Sequence, residues 1–270
     1  MLVTVVTPTL NAIDYLQECI DSVKRNVSPG IEIEHIIADG GSVDGTPELA
    51  DSCGLRVLRR PGESLVARMN EASLNSAGNL IGMLGTDDVM LDGAMKWIVQ
   101  AYRESGRPWV IGGIRWIDEN GRSLGGYKAP PMWMTATMCA SHDSGAIAQI
   151  GTYLSREFFT QLGGFDQSYS FFSDNELFVR ALSKAAYARL ARPVACNRRT
   201  GKNHSVVNRG KTPFEQHRVR VQFGPKSELE AQFWCYALRL WINLANPEWL
   251  MHKLAERARA QLGSPKPRYF

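Results

Sequence analysis

Short apolar runs alternate with amphipathic segments along the first 115 residues of the 270-residue chain. LVTVVT, IEIEHIIA, LRVLRR and NLIGMLG predict four strands, because each is rich in apolar residues and is followed by turn-forming residues. The segment after the first strand has apolar residues at helical spacing, namely Leu16, Cys19, Ile20 and Val23. This alternation predicts an α/β fold, with a Rossmann-like, mostly parallel sheet covered by helices.

Proline and capping residues predict where several elements begin and end. Pro8 should end the first strand, because proline cannot donate to a sheet ladder. Thr46 is predicted to cap a short helix that has Pro47 in its first position. The helix over SLVARMNEASLNSAG should end at Gly78, and Pro247 should divide the long C-terminal segment into two helices.

Polar sequences follow three of the predicted strands. TPTLN comes after the first, DGGSVDGT after the second and TDD, which contains Asp87 and Asp88, after the fourth. Ligands of parallel sheets bind beyond the carboxyl ends of the strands, so these loops are expected to face one cleft. Paired carboxylates there indicate a site for a divalent cation and a phosphate-bearing ligand. The alternative is a solvated turn.

The second half of the chain is less regular. Residues 116–150 include APPMWMTATMCASHDSG, which is interpreted as an acceptor-facing wall or a mobile loop, and a helix is expected to start near Asp174. We therefore divide the chain into residues 1–115, residues 116–205 and a basic, aromatic-rich helical tail (206–270).

Basic residues are concentrated near the C-terminus. Residues 181–270 hold 17 Lys and Arg against 5 Asp and Glu, whereas the preceding residues hold 14 against 22. The tail carries Phe233, Trp234, Tyr236, Trp241 and Trp249. It could bind an anionic membrane surface as an interfacial helix, or it could pack on the domain or form a dimer. No nucleic-acid-binding motif accompanies the charge, so nucleic acid is not an expected partner.

The cysteines and the hydropathy pattern help to predict the cellular compartment of the protein. The five cysteines are scattered and form no CxxC pair, which argues against a disulfide framework or a structural zinc site. No stretch approaches the roughly 20 apolar residues of a spanning helix, and the N-terminus is interpreted as a strand and not as a signal peptide. We predict a cytoplasmic protein, with the tail able to hold it at the inner face of the membrane.

The order of the motifs resembles that of the family-2 glycosyltransferases. TPTLN, DGGSVDGT, ARMN, AGNLIGMLGTDD and GGFDQSYSFFSDNELFVRAL together carry the resemblance, which covers residues 3 to about 183. It implies the A-type glycosyltransferase fold, here with a C-terminal helical extension. It also implies that residues 1–115 form a nucleotide-sugar-binding half and residues 116–205 an acceptor-binding and catalytic half of the same domain. MNEASLNSAGNLIGMLGTDD and FFSDNELFVRA are most similar to the branch that builds bacterial polysaccharides and lipopolysaccharides.

The resemblance assigns nucleotide-binding roles to the first polar loops. Pro8, Thr9 and Asn11 would line the nucleotide pocket. Asp39 would accept a hydrogen bond from the base ring, with capping of its own turn as the alternative. Asp44 is expected to cap its local turn.

Further nucleotide and metal ligands follow from the same resemblance. Arg68 and Asn70 would face the nucleotide, where a cation could pair with the diphosphate. Asp87 would lie near the ribose, and Asp88 would bind Mn²⁺ or Mg²⁺. Gly85 departs from the family pattern, in which Asp or Asn is common at this position. The metal-binding pair is retained, but the resemblance does not say which residues surround it.

The catalytic assignments are implied in the same way. Asp174 matches the family's catalytic aspartate and would act as general base. Glu176 would contact the acceptor or support the loop. His204 would meet the metal or the diphosphate, while His142 and Asp143 lie in the predicted acceptor wall.

The predicted function is that of an inverting glycosyltransferase. It would move a sugar from a nucleotide-diphosphate sugar, most readily a UDP-sugar, to a hydroxyl of a glycan or lipid-linked saccharide. The alternative is a non-catalytic nucleotide-sugar-binding or scaffold protein of the same fold. A sugar-phosphate nucleotidyltransferase is disfavoured because the first strand is not followed by that class's Gly-rich signature.

Overall fold

The computed structural model describes residues 1–143, 146–200 and 212–261. Its strands are β1 (Leu2–Thr9), β2 (Glu32–Asp39), β3 (Arg56–Arg59), β4 (Leu80–Met83), β5 (Val89–Met90), β6 (Trp109–Ile117), β7 (Ser123–Tyr127), β8 (Thr152–Ser155) and β9 (Ala188–Arg198). Its helices are α1 (Ile13–Lys24), α2 (Thr46–Ser52), α3 (Leu65–Leu74), α4 (Ala94–Ser105), α5 (Ala136–Ser141), α6 (Arg156–Gln161), α7 (Ser173–Lys184), α8 (Thr212–Phe223), α9 (Glu228–Ala245) and α10 (Pro247–Gln261).

The strands form one sheet in the order β3-β2-β1-β4-β8-β6-β9-β5, with β7 paired to β6. The first four are parallel, as predicted, whereas β8 is antiparallel to both of its neighbours. Thr9 pairs in register with Asp39, so the carboxyl ends of β1 and β2 lie side by side. The predicted fold class, an α/β sheet covered by helices with a C-terminal helical extension, is confirmed.

Several element ends differ from the sequence-based expectation. β1 continues through Pro8, which is tolerated because the pairing of β1 with β4 ends at Val6. Gly45, in the left-handed conformation, caps α2 in place of Thr46. The Thr46 hydroxyl instead accepts a hydrogen bond from the Ala12 N–H and donates to Asp44. The predicted break at Pro247 is confirmed.

Aromatic residues hold the second half of the sheet against its helices. Trp109 of β6 is fully buried and contacts the rings of Phe158, Phe178 and Tyr187, with centroids 5.4–6.4 Å apart. These rings come from α6, α7 and the start of β9, so a single side chain joins three parts of the chain. Aromatic packing of this kind contributes more than area burial alone.

The C-terminal helices pack on the domain through limited contacts. α9 buries Ala231, Leu238 and Ile242, and Trp249 of α10 stacks on Trp116 of β6 with ring centroids 5.1 Å apart. Within the described ranges, no helix combines the length and the hydropathy required to cross a bilayer. The boundary at 115 falls within β6 and residue 205 lies outside the described ranges, so the division into halves stays a prediction.

A buried histidine lies beneath the edge of the sheet where β1 and β2 end. His35 Nε2 is 2.9 Å from Thr7 Oγ1, and His35 Nδ1 is buried without a hydrogen-bond partner in the described part of the chain. Burial lowers the pKa of His35 to about 4, and the charge of Lys24 acts in the same direction. The folded protein therefore keeps this imidazole neutral.

Acid should destabilise the protein through His35. The unfolded chain, with a histidine pKa of about 6.5, binds this proton more readily than the folded protein, so stability is lost as pH falls from about 6.5 toward 4. Between pH 7.5 and 5, wild type should lose about 2 kcal/mol more unfolding free energy than His35→Gln in denaturant titrations. His252→Gln, at an exposed position on α10, should behave as wild type. Equal pH dependence of wild type and His35→Gln would contradict this interpretation.

Candidate active site

Asp39 lies at the carboxyl end of β2 and is 1% exposed. Its Oδ1 accepts hydrogen bonds from the hydroxyls of Thr9 (3.0 Å) and Ser42, and its Oδ2 accepts from the N–H groups of Gly41 (2.9 Å) and Ser42 (3.0 Å). Burial alone would raise the pKa of Asp39. The hydrogen bonds, of which the bond from the Ser42 hydroxyl has the largest effect, outweigh burial, so the pKa of Asp39 is lowered. Asp39 is therefore a charged cap of its own turn. Its contact with a base ring stays a prediction.

The loops after β1 and β2 are joined by Asn11. Its side-chain oxygen accepts from the Val43 N–H at 3.0 Å, and its own N–H donates to the Ser42 hydroxyl at 2.8 Å. Asn11 has a φ of 49°, which asparagine tolerates better than most residues. Pro8 accepts from the Thr86 hydroxyl through its carbonyl (2.8 Å), which ties the β4 loop to the same edge. Of the three loops that the sequence predicted to share a cleft, those after β2 and β4 are thus each hydrogen-bonded to the segment at the end of β1.

Arg68 extends from α3 to the ends of β1 and β2. Its Nη1 donates to the carbonyls of Thr9 (2.9 Å) and Ala38 (2.7 Å), and the side chain is almost fully buried. Burial lowers the pKa of Arg68, although the Asp39 charge acts in the opposite direction. A Cβ at position 40 would lie 2.8 Å from the guanidinium carbon, so Gly40 leaves room for this group. The structure therefore places a cation beside Asp39 at this edge.

Asn70 bonds to the main chain of Phe165, whereas the sequence analysis expected it to face the nucleotide. Its side-chain nitrogen donates to the Phe165 carbonyl and its oxygen accepts from the Phe165 N–H, both at 2.8 Å. A Cβ at Gly164 would lie 2.6 Å from the Asn70 oxygen, so this glycine permits the close approach. Both polar groups of the amide are used by main chain, which favours a structural role over nucleotide contact.

Asp88, one of the paired carboxylates that follow β4, is buried and is stabilised by hydrogen bonds from the end of β9. It is 3% exposed, and its Oδ1 accepts from Asn197 Nδ2 and the Arg198 N–H, each at 3.0 Å. Burial, together with the neighbouring Asp87 charge, raises the pKa of Asp88 to about 8. Asp87 is half-buried. The residues that stabilise Asp88 come from the end of β9, more than 100 positions along the chain.

Sequence reasoning missed Arg198. Its Nε donates to the Asp87 carbonyl at 3.0 Å, its Nη2 pairs with Glu18 at 2.6 Å, and its guanidinium lies over the Tyr15 ring. This arginine therefore joins the aspartate loop to α1. The sequence signal was the pair of adjacent basic residues Arg198 and Arg199, but only the sheet order reveals that the end of β9 meets Asp87.

The paired aspartates suit a hard divalent cation. A Cβ at position 85 would lie 2.5 Å from Asp88 Oδ2 and 3.2 Å from Asp87 Oδ1, so Gly85 keeps the space beside both carboxylates open. In the described ranges no group of three or more His, Cys, Asp or Glu residues could hold a metal alone. Carboxylate oxygens fit Mn²⁺ or Mg²⁺, with further ligands supplied by phosphate oxygens and water. His204 lies outside the described residues.

Asp174 is in the first turn of α7, as expected. Its Oδ1 accepts from the N–H (2.8 Å) and the side-chain nitrogen (3.0 Å) of Asn175. Burial raises the pKa of Asp174 to about 6, although the Asn175 hydrogen bonds act in the opposite direction. A carboxylate with this pKa is largely ionised at neutral pH and can accept a proton.

Glu176 and Arg180 support the turn before α7. Glu176 is buried and forms an ion pair with Arg180, whose Nη2 donates to the Gly164 carbonyl at 2.8 Å. Of the two alternatives for Glu176, the contacts favour loop support. In the predicted acceptor wall, His142 is buried and Asp143 forms an ion pair with Arg239 of α9.

The fold is shared with solved structures. TarS 1–349 of S. aureus aligns with a TM-score of 0.64 at 16% identity, over 94% of this chain and 72% of that chain. The mannosyltransferase PcManGT from Pyrobaculum calidifontis aligns with a TM-score of 0.59 at 18% identity, over 97% and 76%. These similarities, together with the sheet and its acidic edge, define an A-type glycosyltransferase fold.

The family follows from the sequence comparison. The model of Glycosyl transferase family 2 matches residues 4–163, more than half of the chain. The chain belongs to glycosyl transferase family 2, which confirms the resemblance. The minor teichoic acid biosynthesis protein GgaA of Bacillus subtilis (strain 168) is 25% identical over 221 residues, which is 76% of this chain and 49% of GgaA. The chain thus spans about half the length of this relative.

Proposed function

We propose that this chain is an inverting glycosyltransferase that uses a nucleotide-diphosphate sugar and a divalent cation. The observation that carries the proposal is the buried Asp88 beside Asp87, with the space next to Gly85 open to both carboxylates. Two adjacent carboxylates raise each other's cost of ionisation, and a cation removes that cost. A solvated turn would not require one carboxylate of the pair to be buried.

The donor would bind across the joined loops. Pro8, Thr9 and Asn11 would line the nucleotide pocket, Asp39 would accept from the base, and Arg68 would supply positive charge. UDP is the nucleotide we propose first. Support comes from TarS, which was crystallised with UDP and with UDP-GlcNAc, while PcManGT was crystallised with GDP-Man and Mn²⁺.

Asp87 would lie near the ribose, and Asp88 would hold Mn²⁺ or Mg²⁺. A bound cation offsets the negative charge that grows on the departing diphosphate. Asn197 and the Arg198 N–H orient Asp88 for this role, because both bond to Oδ1 and leave Oδ2 toward Gly85. Asn70 would contribute indirectly, by fixing α3 to the turn at Phe165.

Asp174 would act as general base in one displacement. It would accept the proton of an acceptor hydroxyl while that oxygen forms a bond to the anomeric carbon. The bond from that carbon to the diphosphate oxygen breaks with its electron pair going to the diphosphate, and the configuration inverts. Its pKa of about 6 suits this task near neutral pH.

We propose a saccharide or lipid-linked saccharide of the cell envelope as acceptor. The similarity to GgaA, a minor teichoic acid biosynthesis protein, supports this class. The alternative, a non-catalytic nucleotide-sugar-binding protein, would retain donor binding without transfer.

Calorimetric titration with UDP, GDP and dTDP, with and without Mn²⁺, tests the donor site. We expect one nucleotide to bind in a metal-dependent manner, and Asp88→Asn to weaken that binding at least tenfold, equivalent to about 1.4 kcal/mol. Asparagine keeps an acceptor for Asn197 and Arg198, so the fold should persist. Asp92→Asn, at an exposed carboxylate four residues on, is the matched control and should bind as wild type. Absence of binding by all three nucleotides would overturn the proposal.

Replacing the base should separate binding from turnover. With UDP-GlcNAc or GDP-Man as donor and water as acceptor, Asp174→Asn should lower nucleotide release by about 10²- to 10⁴-fold, without changing nucleotide affinity. Wild-type release should fall as pH drops below about 6, because Asp174 becomes protonated. Glu157→Gln on the neighbouring α6 should leave both quantities unchanged. Wild-type nucleotide binding without any release would favour the non-catalytic alternative.

The C-terminal helices are proposed to bind an anionic membrane surface. The supporting observation is a stripe of large apolar side chains along α9, each 60–79% exposed: Leu229, Phe233, Tyr236, Leu240 and Leu244. The basic excess of residues 181–270 adds electrostatic attraction to anionic lipid.

Vesicle flotation tests this partner. Wild type should float with phosphatidylglycerol vesicles and not with phosphatidylcholine vesicles, and Leu240→Glu should reduce the bound fraction at least fivefold. Gln232→Glu adds the same charge at an exposed polar position of α9 and should have a smaller effect. If wild type does not float, or if it is a dimer that Leu240→Glu separates, the stripe serves another partner.

A further inference from the structure

A carboxylate from α8 holds the loop that precedes Asp174. Glu215 Oε1 accepts from the Ser170 N–H, and Oε2 accepts from the N–H groups of Phe171 and Phe172, all at 2.9 Å. Glu215 is 8% exposed. Three hydrogen bonds from consecutive main-chain N–H groups to one charged, buried acceptor are strong and directional. This arrangement fixes the path of three successive residues.

The same helix makes a second contact one turn later. Arg218 donates from Nη1 to the Ser168 carbonyl and from Nη2 to the Ser168 hydroxyl, both at 3.0 Å. Its guanidinium also lies over the Tyr169 ring, 4.2 Å from the centroid. Positions three apart on a helix lie on one face. Glu215 and Arg218 therefore form a clamp that holds residues 168–172.

The clamp ends where α7 begins. Phe172 is the N-cap of α7 and has no side chain that can accept a hydrogen bond from the helix. Only Ser173 separates the Phe172 N–H, bound by Glu215, from Asp174. Glu215 therefore holds the main chain two residues before Asp174, although it lies 41 positions further along the chain than Asp174.

We propose that Glu215 is a positioning residue for Asp174, which sets the base toward the acceptor by holding the main chain of residues 170–172. The proposal rests on the proposed function for its catalytic consequence, because a displacement of about 1 Å at a general base can lower the rate by about 10²-fold. The hydrogen-bonded clamp itself does not depend on that function.

Glu215→Gln is the central variant. It keeps the shape of the side chain but replaces one acceptor oxygen with a donor that opposes the loop N–H groups. We expect hydrogen exchange at Ser170, Phe171 and Phe172 to accelerate about tenfold or more. Nucleotide release from UDP-GlcNAc or GDP-Man should fall about 10- to 100-fold in kcat, with KM and the affinity for Mn²⁺ and nucleotide within twofold of wild type.

Two further variants keep the test decisive. Glu228→Gln, at the start of α9, removes an exposed carboxylate that pairs with Arg220 of α8. This variant should leave hydrogen exchange and turnover unchanged. Glu215→Asp retains the charge on a shorter side chain and should recover part of both losses. The melting temperature of each variant is measured, so that global unfolding is recognised.

The outcomes separate the two proposals. Unchanged exchange in Glu215→Gln, or faster exchange with unchanged kcat, overturns the positioning role. A parallel loss of kcat, nucleotide affinity and melting temperature also overturns it, because Glu215 would then be a general structural residue. If wild type binds nucleotide but releases none from either donor, the proposed function fails and with it the positioning role, while exchange still measures the clamp alone.

Discussion

Negative charge buried at the carboxyl edge of the sheet is the constraint on which this structure depends. Asp39 and Asp88 are almost fully buried, and an unpaired carboxylate in such a place is costly. The two carboxylates differ in the hydrogen bonds that they accept and in the direction of their pKa shifts. Asp39 receives four hydrogen bonds from its own and the neighbouring loop and keeps a low pKa. Asp88 receives two bonds on one oxygen and has a raised pKa, so a positive charge nearby would favour its ionised form.

The residues that complete this edge come from distant parts of the chain. Arg68 on α3 bonds to the ends of β1 and β2, and Arg198 at the end of β9 joins the Asp87 carbonyl to Glu18 of α1. Neither arginine is an isolated surface cation. Each connects elements whose relative position determines the shape of the cleft. This edge of the sheet is therefore organised in part by Arg198, a residue at the end of β9 that lies far along the chain from β1 and β2.

The turn that leads into α7 is supported in the same way from three directions. Asn70 holds Phe165, Arg180 holds Gly164, and Glu215 holds the N–H groups up to Phe172. Each of these side chains bonds to main chain. Such contacts restrict the path of the loop that leads into α7. They also explain why polar residues such as Asn70 and Glu215 are buried so far from water.

Much of this protein could be predicted from its sequence, because the signals concerned are local. Alternating apolar runs and helical spacing predicted the α/β sheet, and the polar loops that end β1, β2 and β4 predicted a shared edge. Local turn chemistry was less reliable: Thr46 is not the cap of α2, and Pro8 lies within β1. The partners of the predicted residues depended on the tertiary structure. The order that sets β9 beside β6 and β5 brings Asn197 and Arg198 to Asp88, and the packing of α8 brings Glu215 to the loop before Asp174. Periodicity reports which face of an element is buried, but hydrogen bonds between residues more than 40 positions apart depend on how the elements pack.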